Sequence, residues 1–215
     1  IFDALVDVRP NSYSVLNYGA NFDVEFPDSL TNNGTGENYG FEMTFEHFLH
    51  KGFYYLVTAS LYQSKYKGSD GIERNTAFNG NYTFNALAGK EFHFKSKKPE
   101  ADQKAKSSLL LDIKFTLNGG QRYTPFDMQA SALYGEGIYD YSRAFSEKYK
   151  NYFRMDVRLA YKRNGKKITQ EWAFDIQNAT NQDNIFQQTY NADNNSLETT
   201  YQIGLIPIMQ YRIEF

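Results

Sequence analysis

The sequence contains no cysteine and no long hydrophobic run. Without cysteine, the chain has neither a disulfide framework nor a thiolate metal site. No stretch of about eighteen apolar residues occurs, which excludes a transmembrane helix. The formal net charge of −2 gives no reason to expect a nucleic-acid partner. The first residues do not form a signal peptide and read as the middle of a strand, so we expect a mature or truncated chain.

Aromatic residues are abundant instead. The chain has 18 Tyr and 18 Phe, and aromatic residues make up 17% of it. Many rings in an otherwise polar sequence suit a wall that faces water on one side and an apolar medium on the other. The composition therefore favours an all-β fold.

The clearest pattern lies in the last nineteen residues, 197–215. From Tyr201 to Phe215 every second residue is apolar, and most of the residues between them are polar. Alternation with a period of two indicates a strand with unlike environments on its two faces. The row is longer than an ordinary strand of about five or six residues. It matches a transmembrane barrel strand of about nine to eleven residues with aromatic residues at both interfaces.

The same alternation recurs along the chain. We predict further strands at Ile1 to Val8, Tyr39 to Leu49, Phe53 to Leu61, Phe78 to Phe94, Leu109 to Asn118, Phe153 to Arg163 and Lys166 to Asn178. With the terminal strand they predict a transmembrane antiparallel β-barrel segment of about seven or eight strands. Residues 9–37 and the charged run Lys95 to Lys106 are predicted to be connections.

Two turns fix the predicted pairing. His50, Lys51 and Gly52 predict a three-residue loop that places Leu49 opposite Phe53. Asn164-Gly165 predicts a two-residue type I′ turn. In that register Met155 faces Phe174, Val157 faces Trp172 and Tyr161 faces Ile168, while on the polar, lumen-facing side Arg154 faces Asp175 and Arg158 faces Glu171. We interpret these two charge pairs as structural, each contributing about 0.2 to 1 kcal/mol.

Short and long connections alternate along the chain, which is typical of an outer-membrane barrel with long loops on the extracellular rim. The long connection Gly119 to Lys150 is rich in tyrosine and is usually the kind of segment that carries function. We predict ligand contacts at Arg122, Tyr123, Tyr139 and Tyr141. The alternative for each is packing within the loop and anchoring at the membrane interface.

Five stretches carry a family resemblance. They are residues 38–92 (beginning NYGFEMTFEHF), GGQRYTPFDMQAS at 119–131, YDYSRAFSEKYKNYFRMDVRLAYK at 139–162, WAFDIQNATNQDNIF at 172–186 and YRIEF at 211–215. In this order they resemble the C-terminal third of a TonB-dependent outer-membrane receptor, in particular the branch with a carboxypeptidase-regulatory-like N-terminal domain.

The resemblance implies that residues 1–215 form the last eight or so strands of a barrel of about twenty-two. The family's plug domain, its TonB-contacting box and the rest of its barrel have no counterpart here. In such receptors the terminal aromatic pattern is read by the barrel-assembly machinery, which here implies a role for Tyr211, Ile213 and Phe215. The implied function is import of a scarce, bulky nutrient such as a metal chelate, cobalamin or a glycan.

The same resemblance implies a location in the cell outer membrane and no cofactor. The implied partners are outer-membrane lipid, the barrel-assembly machinery and the TonB complex, which would be reached through the missing plug portion. Whether a surface lipoprotein also takes part stays open.

Two other classes of protein remain. A stand-alone barrel of about eight strands, acting as an anchor or adhesin, would have a lumen filled by its own side chains. The modest size of Asn79, Asn81, Thr83 and Asn85 on the polar face favours a wider lumen. An enzyme would need a nucleophile, a base and an orienting group within reach. The pattern places no such partners beside the three histidines, His47, His50 and His93, so we expect no catalysis.

Overall fold

The computed structural model describes residues 2–8, 14–18, 30–94, 106–165 and 167–215. These residues contain thirteen strands: β1 (Phe2–Val8), β2 (Leu30–His50), β3 (Phe53–Lys67), β4 (Glu73–Asn75), β5 (Tyr82–His93), β6 (Lys106–Asn118), β7 (Arg122–Tyr123), β8 (Glu147–Lys148), β9 (Tyr152–Asn164), β10 (Thr169–Gln177), β11 (Ile185–Asn191), β12 (Ser196–Tyr201) and β13 (Ile206–Glu214). One α-helix, α1 (Met128–Tyr134), and two short 3-10 helices, Val15–Tyr18 and Tyr141–Arg143, accompany them. None of the helices in these ranges has the length and apolar character needed to span a membrane.

One large antiparallel sheet dominates the structure, which confirms the all-β prediction. Its strand order is β1-β2-β3-β5-β6-β9-β10-β13, and β4 pairs with β3. The strands β7 with β8, and β11 with β12, form two small separate sheets. In the large sheet each long strand pairs in antiparallel orientation with the long strand that precedes it in the chain.

The two faces of the large sheet differ in chemistry. Cross-strand rows on one face are apolar, as in the row that runs through Phe92, Leu109, Tyr161, Trp172 and Tyr211. Rows on the other face are polar, as in the row through Thr44, Thr58, Asn85, Thr116 and Arg154. Side chains alternate between the faces of a strand, so the period of two in the sequence separates the two kinds of residue.

The apolar face is exposed. Phe41 is 66% exposed and Met209 is 84% exposed. Among the described residues the buried hydrophobic cluster is small and lies elsewhere, at Tyr66, Ala144 and Phe145. An apolar surface of this extent normally marks contact with a protein or a membrane.

The connections lie on two rims. The hairpin rim carries the turn Lys51–Gly52, the loop 165–168 and Phe215, while the loop rim carries residues 14–18 and the connections 68–81, 119–151 and 178–205. The predicted connection Lys95 to Lys106 lies outside the described residues except for Lys106, which begins β6. Residues 9–13 and 19–29 of the predicted connection 9–37 also lie outside them.

The prediction of a connection is wrong for residues 30–37, which belong to β2. Gly34 and Gly36 pair with Leu5 and Phe2 of β1, and residues 35–38 pair with β3. Asparagine and glycine favour turns in isolation. Here strands on both sides supply the backbone hydrogen bonds, and the neighbouring strands override the local preference.

The first hairpin turn differs from the prediction. His50, rather than Leu49, pairs with Phe53, and an irregularity between His47 and His50 absorbs the extra residue. Lys51 and Gly52 both have positive φ, 51° and 75°. Positive φ at both central residues is the requirement of a two-residue type I′ turn, so the three-residue loop is wrong.

The hairpin β9–β10 closes with a four-residue loop. Asn164 pairs with Thr169, and the Gly165 N–H donates to the Ile168 carbonyl over 2.9 Å. Tyr161 therefore faces Trp172 and Leu159 faces Phe174. The predicted type I′ turn and its pairs are wrong by four positions. Four is an even number, so every residue nevertheless remains on its predicted face.

The predicted terminal strand is two strands. The sequence alternates without a break, but β12 pairs with β11 on the loop rim and only β13 joins the large sheet. Between them, the Leu205 N–H donates to the Asn181 side-chain oxygen over 3.0 Å. Alternation of apolar and polar residues shows that a strand has two unlike faces, but it does not show which sheet the strand joins. The prediction of one continuous terminal strand is therefore wrong.

Candidate ligand-binding cleft

The long connection between β6 and β9 is a folded structure of its own. It contains β7, α1, a 3-10 helix and β8. The Asp127 carboxylate caps α1 by accepting from the N–H groups of Gln129 and Ala130, each over 3.0 Å. Gly135 ends the helix in the left-handed conformation, which is a common helix C-terminus. These caps give the segment a defined shape above the sheet.

A small core fastens this segment to the loop rim. Phe145 packs edge-on against Tyr66 of β3, with ring centroids 6.3 Å apart. The Tyr66 hydroxyl donates to the Asn17 side-chain oxygen over 2.6 Å, and the Asn17 amide donates to the Tyr141 carbonyl over 3.1 Å. Asn17 is buried, so its hydrogen bonds tie three separate segments of the chain together.

A cleft of about 660 Å³ lies among these segments. The described residues that line it come from the 14–18 segment, the 77–78 turn, the 121–149 segment, β11 and Gln202: Asn17, Tyr18, Ala77, Phe78, Gln121, Arg122, Tyr123, Thr124, Phe126, Tyr139, Tyr141, Phe145, Tyr149, Phe186, Gln187, Gln188, Thr189 and Gln202. The structure thus brings together the four residues predicted to contact a ligand, Arg122, Tyr123, Tyr139 and Tyr141. That they bind a ligand stays a prediction.

The rings of the cleft also contact each other. Tyr123 stacks on Tyr149 with centroids 4.1 Å apart, and Phe126 stacks on Tyr139 at 4.4 Å. Tyr141 lies 6.0 Å from Tyr139. The rings therefore make the contacts expected if they only pack within the loop. The same rings also line the cleft. Packed aromatic walls with a few polar groups are typical of ligand pockets.

Arg122 is held at the cleft by a buried polar cluster. Its Nε donates to the Asn79 carbonyl over 3.0 Å, and Asn79 is 0% exposed. The Asn79 amide donates to Gln63 over 3.1 Å and to Asn75 over 2.7 Å. It also accepts from the Asn81 amide over 3.1 Å. The sequence placed Asn79 and Asn81 on the polar face of a strand, but both precede β5.

Burial changes the acid–base properties of three side chains around the cleft. It raises the pKa of Tyr123, as does the nearby Glu147. Burial also raises the pKa of Tyr149, while a hydrogen bond from the Gln188 N–H opposes this. Lys148 is largely exposed and lies opposite Arg122 across β7 and β8; partial desolvation and then the Arg122 charge lower its pKa.

Sequence reasoning missed several residues of the cleft, including Tyr18, Phe126 and the β11 residues Gln187 and Gln188. One available signal would have found them. The alternation of short and long connections places every long connection on the same rim. Residues 14–18 and 178–205 are therefore expected on the same rim as residues 119–151.

The predicted charge pairs on the polar face are formed in part. Arg158 bridges Glu171 over 2.8 Å and Asp175 over 2.9 Å. Arg154 does not pair with Asp175 and instead bridges Asp156 over 2.6 Å. The corrected register is the reason, because it places Asp175 opposite Arg158. The pairing of Arg154 with Asp175 is therefore wrong.

The proposed assembly signal and the histidines lie toward the hairpin rim. Tyr211 and Ile213 are exposed on the apolar face, and Phe215 is fully exposed. The His47 and His50 rings are 6.3 Å apart, and His93 lies 3.7 Å from Glu91. Within the described ranges no three histidine, aspartate or glutamate side chains are grouped so that they could hold a metal ion.

A scan against protein-family models, a search of curated proteins and a search of solved structures found no match for this chain. The family resemblance therefore stays a prediction from the sequence.

Proposed function

We propose that the chain forms part of the wall of an outer-membrane β-barrel receptor of the TonB-dependent type, which imports a scarce, bulky nutrient such as a metal chelate, cobalamin or a glycan. One observation carries the proposal. A single sheet has an exposed apolar face, a polar opposite face, and an aromatic cleft on the rim that carries its long connections.

The dimensions of the apolar face support lipid as its partner. Along β9 the apolar positions run from Phe153 to Tyr161, a span of nine residues. A transmembrane barrel strand, tilted by about 45°, needs about nine to eleven residues to cross the membrane. Toward the hairpin rim, Tyr161, Trp172 and Tyr211 lie side by side, with centroids 5.9 Å and 5.3 Å apart. Rows of aromatic residues mark the membrane interfaces of such barrels.

The two ends of the sheet favour part of a large barrel over a small complete one. In the described residues, β1 and β13 lie at opposite ends of the strand order and do not pair with each other. A stand-alone barrel that serves as an anchor or adhesin would join its first and last strands, since closure removes exposed edges. In a larger barrel, further strands would pair with both.

The proposal assigns the remaining partners. The polar face, with Arg158 and its two carboxylates, lines the lumen. Energy coupling to the TonB complex runs through a plug portion outside these residues. The barrel-assembly machinery reads Tyr211, Ile213 and Phe215, and a surface lipoprotein would cover the loop rim.

The test is the intact mass of the polypeptide extracted from its native outer membrane. A mass of about 100 kDa or more is expected for a barrel of about twenty-two strands with a plug. A mass of 24.9 kDa would identify a small barrel, and the transport function would then be rejected.

A further inference from the structure

The charge of the cleft is unbalanced. Arg122 is the one charged residue among the described residues that line it, and the others are aromatic, amide, hydroxyl or small apolar side chains. A partly buried cation is costly unless an anion lies beside it. The part of the cleft that the structure describes thus carries a positive charge and has aromatic walls.

The hydrogen bonds of Arg122 leave its far end available. Its Nε donates to the Asn79 carbonyl, and its backbone N–H donates to the Ala77 carbonyl over 3.3 Å. In the described part of the chain, the two terminal nitrogens of its guanidinium make no hydrogen bond. A guanidinium fixed at Nε presents the two-pronged donor geometry that fits a carboxylate, phosphate or sulfate.

Among the described residues, the charged side chains near Arg122 do not neutralise it. Glu147 lies on the neighbouring strand, and it is paired with Arg143 over 2.5 Å. Lys148 lies directly opposite Arg122 and donates to the Gly80 carbonyl and to Asn81, each over 3.0 Å. Like charges opposite each other are destabilising, and an anion beside Arg122 would offset this repulsion.

We propose that the cleft selects an acidic ligand, whose anionic group binds the Arg122 guanidinium while its planar or cyclic body lies against the tyrosine rings. This inference rests on the proposed receptor function and names the class of its ligand. Aromatic walls alone also attract cations. Arg122 in the same cleft repels a cation, and a neutral ligand would leave Arg122 unpaired.

The test uses the full-length native polypeptide in detergent and two probes of equal shape, 2-naphthoate and 2-naphthamide. Calorimetry should give a dissociation constant about tenfold or more lower for the acid, because hydrogen bonds between charged groups are stronger than neutral ones. Arg122→Gln should remove this preference. Lys67→Gln, which removes an exposed cation on the same rim outside the cleft, should keep it. The wild-type preference should also fall as salt is added.

Equal affinities for the two probes in the wild type would overturn the acidic class and leave the cleft as a binding site. An unchanged preference in Arg122→Gln would overturn the role of Arg122. No binding of either probe at millimolar concentration would overturn the inference as well, and the receptor function would then be decided by the intact mass.

Discussion

Trp172 lies directly opposite Tyr211 on the apolar face, with ring centroids 5.3 Å apart. On its other side it lies opposite Tyr161. These three rings cross β9, β10 and β13 toward the hairpin rim. Trp172 is also the single tryptophan of the sequence, so its fluorescence reports the surroundings of the apolar face.

We expect Trp172 to lie in lipid. After reconstitution into vesicles, its emission should be shifted to the blue and quenched by lipids brominated near the headgroup, because rings of the interfacial girdle lie at that depth. Acrylamide in the water should quench it weakly. Red-shifted emission that brominated lipids leave unchanged would contradict a lipid-facing sheet.

The polar face provides the matched control for this measurement. A single tryptophan placed there by Ser60→Trp in a Trp172→Phe background lies on β3, between Glu42 of β2 and Thr83 of β5. Its emission should respond to acrylamide rather than to brominated lipid. Equal lipid quenching from both faces would contradict a sheet with one lipid-facing and one water-facing side.

Arg158 should couple to Asp175, and Arg154 should not. Arg158 contacts Asp175 over 2.9 Å, whereas Arg154 contacts Asp156. A double-mutant cycle of Arg158→Met and Asp175→Asn should give an interaction energy of about 0.5 to 3 kcal/mol, the range for residues in contact. The cycle of Arg154→Met and Asp175→Asn should give a value near zero. Denaturant unfolding in detergent measures both, and the reverse order would restore the register predicted from Asn164-Gly165.

The faces of the strands were predictable from the sequence, and the register was not. Trp172 and Phe174 remain on the apolar face although their partners differ by four positions from the predicted ones. The pattern of period two fixes the face and is unchanged by an even shift. The register depends on how the loop closes, and the loop 165–168 uses more residues than the Asn-Gly signal indicates.

The location of the cleft was partly predictable for a related reason. The tyrosines and Arg122 of the 119–150 segment stood out by composition, and alternating connection lengths place that segment on one rim. The same alternation places residues 14–18 and 178–205 on this rim, but the sequence does not reveal which of their residues contact the 119–150 segment. Those contacts depend on pairs distant in the chain, such as the hydrogen bond between Asn17 and the Tyr141 carbonyl.

Tyr149 should lose its proton at higher pH than free tyrosine does. Tyr149 is half-buried, and burial raises its pKa, as do the nearby Tyr123 and Tyr139, while the Gln188 N–H opposes this. A raised pKa favours the neutral form in the folded state. Its contribution to stability is therefore complete below about pH 10, the value in the unfolded chain, and is lost as the pH rises further. The difference between the tyrosinate absorbance titrations of wild type and Tyr149→Phe isolates this group, and a midpoint at or below the free value would contradict the buried position.

Phe215 should matter for assembly rather than for ligand binding. It follows β13 at the hairpin rim, whereas the cleft lies at the loop rim, and it is fully exposed. If the assembly machinery reads an aromatic residue there, Phe215→Ala should lower the amount of protein inserted in the outer membrane, and Phe215→Tyr should not. Heat-dependent gel mobility of the membrane fraction measures insertion. Normal insertion of Phe215→Ala would refute the signal.

Replacing Arg122, Tyr123, Tyr139 and Tyr141 together with alanine should abolish uptake without reducing assembly, because these residues line the cleft and lie outside the large sheet. The ligand is identified first by growth: it is the nutrient, among metal chelates, cobalamin and glycans, on which a strain lacking the gene grows more slowly than the wild type.

On that nutrient, a strain with the fourfold variant should compete with the wild type as poorly as the deletion strain does. The control is Leu133→Ala with Tyr134→Ala, which removes two exposed side chains of α1 that do not line the cleft. That variant should grow as the wild type does. If the fourfold variant is inserted at wild-type level and grows equally well, the packing role of these tyrosines is sufficient and the cleft does not select the nutrient.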